Sequence, residues 1–189
     1  MTPERPGEEQ HIPDGEPRLW YVLWSTCRNE ESLLEKVHDK VPAELYDEVW
    51  LPRREEFRVV RGEEKRLETP LFKGYLFIRA RAEDLHDIHC RLKKEKEYLG
   101  ILKCEDDFVS LSEFEEKLID RLTSHRRKSA GQSVGVIRQG VLHILDGPLV
   151  GLEPYIKKID RHKRKAWLEM EIFGQHRRFP AALEIVEKT

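Results

Sequence analysis

The residues of this sequence best suited to chemistry are basic side chains concentrated towards its C-terminal end. Residues 154–178 contain eight Lys and Arg against three Asp and Glu. Such a density of cations is suited to the phosphates of a nucleic acid, because Lys and Arg neutralise the charged backbone and release its counterions. The candidate RNA-binding residues are Lys157, Lys158, Arg161, His162, Lys163, Arg164, Lys165, Arg177 and Arg178.

We expect the nucleic acid to be RNA in the form of a hairpin. The A-form stem of a hairpin is recognised by shape and backbone charge, while its unpaired loop bases can be read individually. Lysines place phosphates, whereas Arg161, Arg164 and His162 can also stack on exposed bases or hydrogen-bond to them. Trp167 offers a further stacking surface, and packing within a strand is the alternative role for this residue.

No arrangement of residues in the sequence predicts catalysis or a bound cofactor. His86, His89 and Cys90 lie close together, but no second pair of ligands follows at the spacing of a zinc site. Adjacent carboxylates such as Glu55 and Glu56 are interpreted as surface residues without an acid or base partner. We therefore expect a protein that is not an enzyme and that holds neither a metal nor a cofactor.

Charge divides the chain into two unlike parts. Residues 121–189 carry 14 Lys and Arg against 7 Asp and Glu, whereas residues 1–120 carry 20 against 29. This asymmetry predicts that the C-terminal part meets a polyanion, and a merely solvated surface is the alternative. No apolar run approaches the roughly 18 residues of a membrane span. Cys27, Cys90 and Cys104 are odd in number and widely spaced, which favours free thiols in the cytoplasm.

The elements that position these residues begin after residues 1–17, a tail that is too polar and too rich in proline to fold. Runs of aromatic and β-branched residues predict strands at residues 19–24, 49–51 and 74–80, and a hairpin between residues 57 and 68. Helical spacing predicts three helices, the last of them introduced by a capping box within residues 110–113. The predicted fold is an α+β domain with an antiparallel sheet flanked by helices. The residues at helical spacing, all apolar except His89, are Leu33, Leu34, Val37 and Val41, then Leu85, Ile88, His89 and Leu92, then Phe114, Leu118, Ile119 and Leu122.

A second domain is predicted beyond residues 124–135, which show no periodicity and are interpreted as a flexible linker. Short strands are predicted at 141–145, 155–159 and 166–172, with a further pair at 177–180 and 183–186. In the third of these, Ala166, Leu168, Met170 and Ile172 alternate with a second set, which is the period of a half-buried strand. The second set is Trp167, Glu169, Glu171 and Phe173. Closely spaced short strands favour a small barrel, because a barrel leaves no unpaired edges.

Two ordered sets of motifs resemble the NusG family of transcription elongation factors over essentially everything after the tail. The first set resembles the family's N-terminal NGN domain and the second its C-terminal KOW domain, which is an SH3-like all-β barrel. The resemblance implies an NGN domain at 18–123, a linker at 124–135 and a KOW domain at 136–189. The motifs are Trp20-Tyr21-Val22, Val49-Trp50-Leu51-Pro52 and Leu71-Phe72-Lys73-Gly74-Tyr75 for the first, and Asp146-Gly147-Pro148, Ile159-Asp160 and Ile172-Phe173-Gly174 for the second.

The resemblance implies that the NGN domain binds the clamp helices of RNA polymerase. Phe72 matches the aromatic residue that makes this contact, and Tyr75, Trp20 and Lys73 are the neighbouring candidates. An aromatic side chain suits the role because it buries a large area at little entropic cost. Lys73 stands where the family usually has a proline. An alternative interpretation places Trp20, Tyr75 and Phe77 in the core of the sheet.

Within the family, residues 157–167 resemble the specialised LoaP-type factors, which are bacterial processive antiterminators of selected long operons. This resemblance implies a monomer that binds polymerase and a nascent RNA hairpin, with other Nus-type factors as further partners. Two alternatives remain open: a general NusG-like factor whose KOW domain bridges to Rho or the ribosome, and a ribosome-associated KOW protein. Pro154 and Gln175 stand where the family has glycine and arginine, which weakens the first alternative. The alternating β pattern and the prolines oppose a fold-switching barrel of the RfaH type.

Overall fold

The computed structural model describes residues 16–26, 29–123 and 131–189. Most of the predicted tail, Cys27 and residues 124–130 of the predicted linker lie outside the described residues. The chain has an α+β N-terminal part, up to residue 123, and an all-β C-terminal part, from residue 131. This arrangement confirms the fold class expected from the sequence.

The N-terminal part is built on a four-stranded antiparallel sheet of order β2-β5-β1-β6, beside two separate hairpins. The eight strands are β1 (Leu19–Ser25), β2 (Tyr46–Trp50), β3 (Arg53–Val60), β4 (Glu63–Pro70), β5 (Tyr75–Ala80), β6 (Tyr98–Ile101), β7 (Lys103–Cys104) and β8 (Asp107–Phe108). The helices are α1 (Glu30–Lys40), α2 (Leu85–Leu92) and α3 (Glu113–Leu122), with short 3-10 turns at Ala43–Leu45 and Ala82–Asp84. No described helix is long and apolar enough to cross a membrane.

The two faces of this sheet are buried against different partners. Tyr21 and Leu23 of β1 belong to a core shared with α1 and α2, whereas Trp20 and Val22 belong to a core shared with α3 and the C-terminal part. This division follows from the strand period of two, which sends successive side chains to opposite faces. The second core is continuous across the two parts of the chain.

The hairpin of β3 and β4 is a two-stranded sheet separate from the four-stranded one. Its strands pair from Arg53 with Pro70 to Val60 with Glu63, so that the turn consists of Arg61 and Gly62. Both turn residues have positive φ, 54° and 82°, as the tight turns that suit strand twist require. The hairpin therefore confirms the sequence prediction and is longer than predicted.

The C-terminal part is a five-stranded sheet of order β10-β9-β13-β12-β11. Its strands are β9 (Ser133–Arg138), β10 (Val141–Asp146), β11 (Ile156–Asp160), β12 (Lys165–Ile172) and β13 (Gln175–Lys188), with a 3-10 turn at Glu153–Tyr155. The predicted alternation is confirmed within β12, because Ala166, Leu168, Met170 and Ile172 are all buried. Phe173 was predicted on the opposite face and is buried as well, because it lies in the turn after the strand with a φ of 56°. This sheet carries the predicted basic residues on β11, on β12 and on the start of β13.

Several local features differ from the sequence predictions. Strand β9 begins at Ser133, inside the segment interpreted as linker. The sequence does not indicate this start, because Gly135 interrupts the apolar alternation of the strand. Strand β13 is continuous where two segments were predicted: it pairs with β12 before Leu183 and with β9 from Leu183 onwards. Phe114 is 52 % exposed instead of buried, because the apolar contact of α3 begins one turn later, at Leu118.

The turn after β10 depends on Gly147. This residue has a φ of 98°, and a Cβ added to it would lie 2.6 Å from the Cα of Ser133. Only glycine fits such an approach. The backbone N–H of Leu149 then donates to the Ser133 hydroxyl at 3.0 Å, which ties the turn to the start of β9.

Candidate functional site

The predicted polymerase-contacting loop lies between β4 and β5, and hydrogen bonds to α1 and β1 hold it in place. The N–H of Gly74 donates to the Glu30 carboxylate at 2.7 Å, and the Gly74 carbonyl accepts from the N–H of Ser25 at 2.8 Å. Gly74 has a φ of 80°, and a Cβ there would lie 3.0 Å from the Ser25 carbonyl oxygen. Because Glu30 is itself buried at the start of α1, the loop is held rigidly to the helix.

Phe72 lies at the centre of the contact between the two parts of the chain. Its side chain is only 5 % exposed. Its ring lies 5.2 Å from that of Phe173 and 5.0 Å from that of Phe179, in edge-to-face arrangements. Such pairs add roughly 0.5–1.5 kcal/mol each beyond the area they bury. The predicted contact residue is therefore covered by the start of β13 and by the turn that precedes it.

The other predicted polymerase-contacting residues divide into two groups. Tyr75 is 7 % exposed, with the ring of Phe173 at 5.7 Å and the guanidinium of Arg177 at 4.7 Å from its ring. Trp20 is buried against Trp50, with ring centroids 6.0 Å apart, and belongs to the core under α3. Lys73 is exposed. The alternative interpretation, in which Trp20, Tyr75 and Phe77 are core residues, fits their burial, because all three belong to the core shared by the two parts of the chain.

Phe173 is placed in this contact by a strained turn between β12 and β13. Its φ is 56°, a conformation that a bulky residue rarely adopts. Its backbone N–H donates a hydrogen bond to the carboxylate of Glu115 on α3. A contact from the other part of the chain thus helps to hold the turn that points Phe173 towards Phe72.

A buried ion cluster lies beside these aromatic residues. The Glu56 carboxylate accepts from Arg54 Nη2 at 2.7 Å on the same strand and from Lys165 Nζ at 3.1 Å on β12. The side chains of Arg54, Glu56 and Lys165 are only 5 %, 10 % and 14 % exposed. Glu56 was interpreted from the sequence as a surface carboxylate, and that interpretation was wrong. Alternation along β3 places Arg54 and Glu56 on one face, which is the signal that could have identified the pair.

The two parts of the chain enclose a cleft of about 350 Å³ next to the ion cluster. We call it the interface cleft. Residues of β3 and of the loop before β5 line one side, and residues of β12 and β13 line the other. Its cationic lining residues are Arg54, Lys73, Lys165, Arg177 and Arg178, and its aromatic lining residues are Phe72, Tyr75, Trp167 and Phe179.

The predicted RNA-binding residues fall into two separate groups. Five are exposed on β11 and the turn that follows it, and we call them the outer basic group: Lys157, Lys158, Arg161, His162 and Lys163. Asp160 orders this turn by accepting from the backbone N–H of Lys163 at 3.0 Å. Lys165, Arg177 and Arg178 instead line the interface cleft. Arg164 lies between the two groups, with a φ of 47°.

Trp167 and Arg178 occupy the rim of the cleft together. The guanidinium of Arg178 lies 5.1 Å from the Trp167 ring centroid, and its Nε lies 3.3 Å from a carboxylate oxygen of Glu169. Trp167 is half-buried, so both of its predicted roles, packing and stacking, remain compatible with its position.

The histidines and cysteine of α2 do not form a metal site within the described residues. His86 Nε2 lies 3.6 Å from the sulfur of Cys90, whereas His89 Nδ1 lies 2.9 Å from the hydroxyl of Tyr98. Burial is the main cause that lowers the pKa of His89, and the charges of Lys103 and Lys93 lower it further. Burial raises the pKa of Tyr98.

Comparisons with known proteins agree on one family. Residues 18–122 match the sequence profile of the NusG family, described as "Transcription termination factor nusG". The chain is 22 % identical over 168 residues to the transcription termination/antitermination protein NusG of Buchnera aphidicola subsp. Acyrthosiphon pisum (strain APS), covering 86 % of this chain and 91 % of the relative. A solved structure titled "Domain interaction in Thermotoga maritima NusG" matches with a TM-score of 0.58 and 20 % identity, over 89 % of this chain and 94 % of the other.

Proposed function

This chain belongs to the NusG family of transcription factors, and from that premise we propose that it is a processive antitermination factor of the LoaP type. In this proposal the N-terminal part, the NGN domain, binds the clamp helices of RNA polymerase. The C-terminal part, the KOW domain, binds a hairpin in the nascent RNA in the cytoplasm. The observation that carries the proposal is the outer basic group, an exposed cationic surface on an otherwise ordinary small β domain.

The aromatic side chains in and next to the loop between β4 and β5 support polymerase binding. Phe72 lies on this loop and Tyr75 begins β5 directly after it, and the hydrogen bond from Gly74 to Glu30 holds the loop in place. A rigid aromatic residue that fills a pocket is typical of the residues that dominate binding energy at interfaces. Because Phe173 and Phe179 cover this loop, the proposal requires the KOW domain to move away before polymerase docks.

The outer basic group supports RNA binding through its exposure and composition. Four of its five members carry a full positive charge, and one turn and the adjoining strand present all of them on the surface. Lysines can neutralise phosphates along an A-form stem, while Arg161 and His162 can hydrogen-bond to unpaired bases. Leu149 and Leu152, in the loop where relatives of the family offer aromatic residues to protein partners, are buried in the core.

The test measures binding of the full chain to leader RNA hairpins across a range of salt concentrations. The variant Lys157→Gln/Lys158→Gln/Lys163→Gln removes three charges of the outer basic group. The matched control, Lys93→Gln/Lys94→Gln/Lys96→Gln, removes three exposed lysines after α2. We expect the first variant to weaken binding at least tenfold and to reduce the salt dependence by about one unit for each lost phosphate contact.

The control variant should bind as the wild type does. Equal losses in the two variants would show that RNA binding is a property of net charge alone and would contradict the proposal. If the wild type ignores hairpins and instead binds Rho or ribosomal particles, the general NusG-like factor or the ribosome-associated protein is the better description.

A further inference from the structure

The residues that line the interface cleft include more positive than negative side chains. Its lining contains five cationic side chains and one carboxylate, that of Glu56. Glu56 is already engaged by Arg54 at 2.7 Å and by Lys165 at 3.1 Å. The lining residues therefore carry a net positive charge, although Glu169, which lies outside the lining, pairs with Arg178 at 3.3 Å. A concave site with charges of one sign concentrates ions of the other. The cleft is accordingly suited to an anion.

Arg177 offers this anion a hydrogen-bond donor. Its Nη2 donates to the Gln175 side chain, and its guanidinium covers the ring of Tyr75. Its Nε–H is buried and has no hydrogen-bond acceptor within the described parts of the chain. Burial also lowers the pKa of the Arg177 side chain. A buried donor without an acceptor is costly, and an anionic oxygen is the acceptor that relieves most of that cost.

The rest of the lining is aromatic. Phe72, Tyr75 and Phe179 form buried walls, and Trp167 lies at the half-buried rim. Guanidinium groups beside aromatic rings are the combination that proteins use for ligands with both a phosphate and a planar base. The volume, about 350 Å³, lies at the lower end of ligand pockets, so it admits one small molecule and excludes a duplex.

We propose that the interface cleft is a binding site for a single nucleotide, with the phosphate among Arg177, Arg178 and Lys73 and the base against the aromatic wall. The nucleotide is either free in solution or a single unpaired nucleotide of an RNA. The outer basic group is not part of this site, so the inference goes beyond hairpin recognition. Both parts of the chain supply lining residues, and the site is complete only while they are packed together.

If polymerase binds as proposed above, nucleotide binding in the cleft opposes it. A ligand that needs both walls of the cleft stabilises the packed arrangement. Polymerase docking needs Phe72 and Tyr75 uncovered, which is the opposite arrangement. Linkage therefore requires that a bound nucleotide weakens polymerase binding, and that polymerase weakens nucleotide binding by the same factor.

The test is isothermal titration of the full chain with the four ribonucleoside 5′-monophosphates, with inorganic phosphate and with unphosphorylated nucleosides. We expect a nucleotide to bind more tightly than phosphate or nucleoside. Arg177→Gln should weaken this binding at least tenfold, and Trp167→Leu should weaken it by a smaller factor. Arg138→Gln, which removes the same charge from an exposed position of β9 outside the cleft, should leave it unchanged.

Arg178→Gln provides a second variant at the exposed rim, where loss of a half-exposed side chain does not threaten folding. We expect it also to weaken nucleotide binding. Small-angle scattering of each variant checks that the two parts remain packed. The proposal is overturned if no nucleotide binds at millimolar concentration, if phosphate alone binds as tightly, or if Arg177→Gln and Arg138→Gln behave alike.

Two RNAs distinguish the sources of the nucleotide. A hairpin with one bulged nucleotide that competes with the free nucleotide, beside a fully paired hairpin that does not, assigns the cleft to an RNA nucleotide. Hairpin binding that is indifferent to saturating nucleotide assigns it to a free nucleotide. If no hairpin binds at all while the nucleotide still does, RNA recognition by the outer basic group has failed and the cleft has not.

Discussion

Glu56 is the residue that most directly joins the two parts of the chain. It accepts a charge-assisted hydrogen bond from Arg54 on its own strand and another from Lys165 on β12. Hydrogen bonds to charged groups contribute roughly 1.5–3 kcal/mol each when buried. Glu56→Gln removes the carboxylate that both cations share, whereas Lys165→Gln leaves the bond to Arg54 in place.

We therefore expect Glu56→Gln to lower the free energy of unfolding by more than Lys165→Gln, with about 1.5–3 kcal/mol for the lysine variant. Urea unfolding of both variants measures the difference. Arg138→Gln, which breaks an exposed pair with Glu187, serves as the control and should change stability by less than about 1 kcal/mol. If Lys165→Gln proves as harmless as this control, the pair between the two parts is not stabilising.

The lowered pKa of His89 makes the stability of the folded chain depend on pH. Its pKa in the folded chain is lowered, mainly by burial, from an ordinary value near 6.5. The unfolded chain therefore binds the proton more readily, so the free energy of unfolding falls as pH drops through about 6.5 towards the folded value. The measurement is urea unfolding at several pH values between about 8 and about 5, on both sides of that pKa.

His89→Gln should show a shallower loss of stability on acidification than the wild type. His162→Gln changes an exposed histidine of the outer basic group and should retain the wild-type dependence. A wild-type slope in His89→Gln would place the cause of any acid sensitivity elsewhere in the chain.

At the scale of single residues, the sequence indicates which side chains could take part in binding better than it indicates whether they are buried. Phe72 could be singled out as an aromatic contact residue, but its cover by Phe173 and Phe179 joins positions about a hundred residues apart. No local period encodes such a contact. The same limit explains why Glu56 was assigned to the surface, since its second partner, Lys165, lies on the other part of the chain.

At the scale of elements, α3 combines a local and a long-range role in one side chain. The Glu115 carboxylate accepts from the N–H and hydroxyl of Ser112 at 2.8 and 2.7 Å, which completes the capping box. Its other oxygen accepts from the backbone N–H of Phe173. The helix start and the turn between β12 and β13 are thus held by the same residue.

This double role separates the effects of two substitutions. Ser112→Ala should cost about 1 kcal/mol of stability, because it removes the N-cap alone. Glu115→Ala should cost more and should also loosen the contact between the two parts of the chain. Unfolding by urea measures the first effect, and an increased radius of gyration in small-angle scattering measures the second. Equal radii for the two variants would show that the bond to Phe173 does not hold the parts together.

Elements with a clear period were predictable, and elements that depend on their neighbours were not. The alternation of β12 is a local pattern that the structure contains. A capping box also precedes α3, but Ser112 and Glu115 form it, two residues later than the predicted Ser110 and Glu113. Strand β13 appeared in two pieces because Pro180 interrupts its pattern. The strand is continuous because its first half pairs with β12 and its second half with β9. The short strands β7 and β8 have only two residues each, too few to show any period.

At the scale of the whole molecule, the packing of the two parts governs which surfaces can be used. The core that contains Trp20 and Phe77 continues into the C-terminal part through Phe173. The sequence predicted the basic surface and the aromatic loop on different domains. It could not predict that Phe72 and the basic residues of β12 and β13 meet, because the contact joins positions about a hundred residues apart and no local pattern encodes it. The interface cleft, and the cover over Phe72, exist only as a result of that meeting.

Substitution of Phe173 tests whether the packing of the two parts controls access to Phe72. Its ring contacts Phe72, Tyr75 and Phe77 at centroid distances of 5.2, 5.7 and 5.5 Å, all across the contact between the two parts. Removing a buried phenylalanine costs about 3–5 kcal/mol, and here much of that cost falls on the packed arrangement. A protein that docks only when open binds with an affinity reduced by its open fraction, and each 1.4 kcal/mol shifts that fraction about tenfold.

Phe173→Ala should therefore bind a coiled-coil fragment of the polymerase clamp helices at least tenfold more tightly than the wild type. Phe72→Ala should bind it more weakly, because that change removes the proposed anchor as well as the cover. Phe114→Ala, on the exposed face of α3, is the matched control and should leave the affinity unchanged. Saturating nucleotide should weaken binding of the wild type but not of Phe173→Ala, since only the packed arrangement completes the cleft. If Phe173→Ala binds the fragment no better than the wild type, while scattering shows that its two parts have separated, the loop at Phe72 is not the polymerase contact.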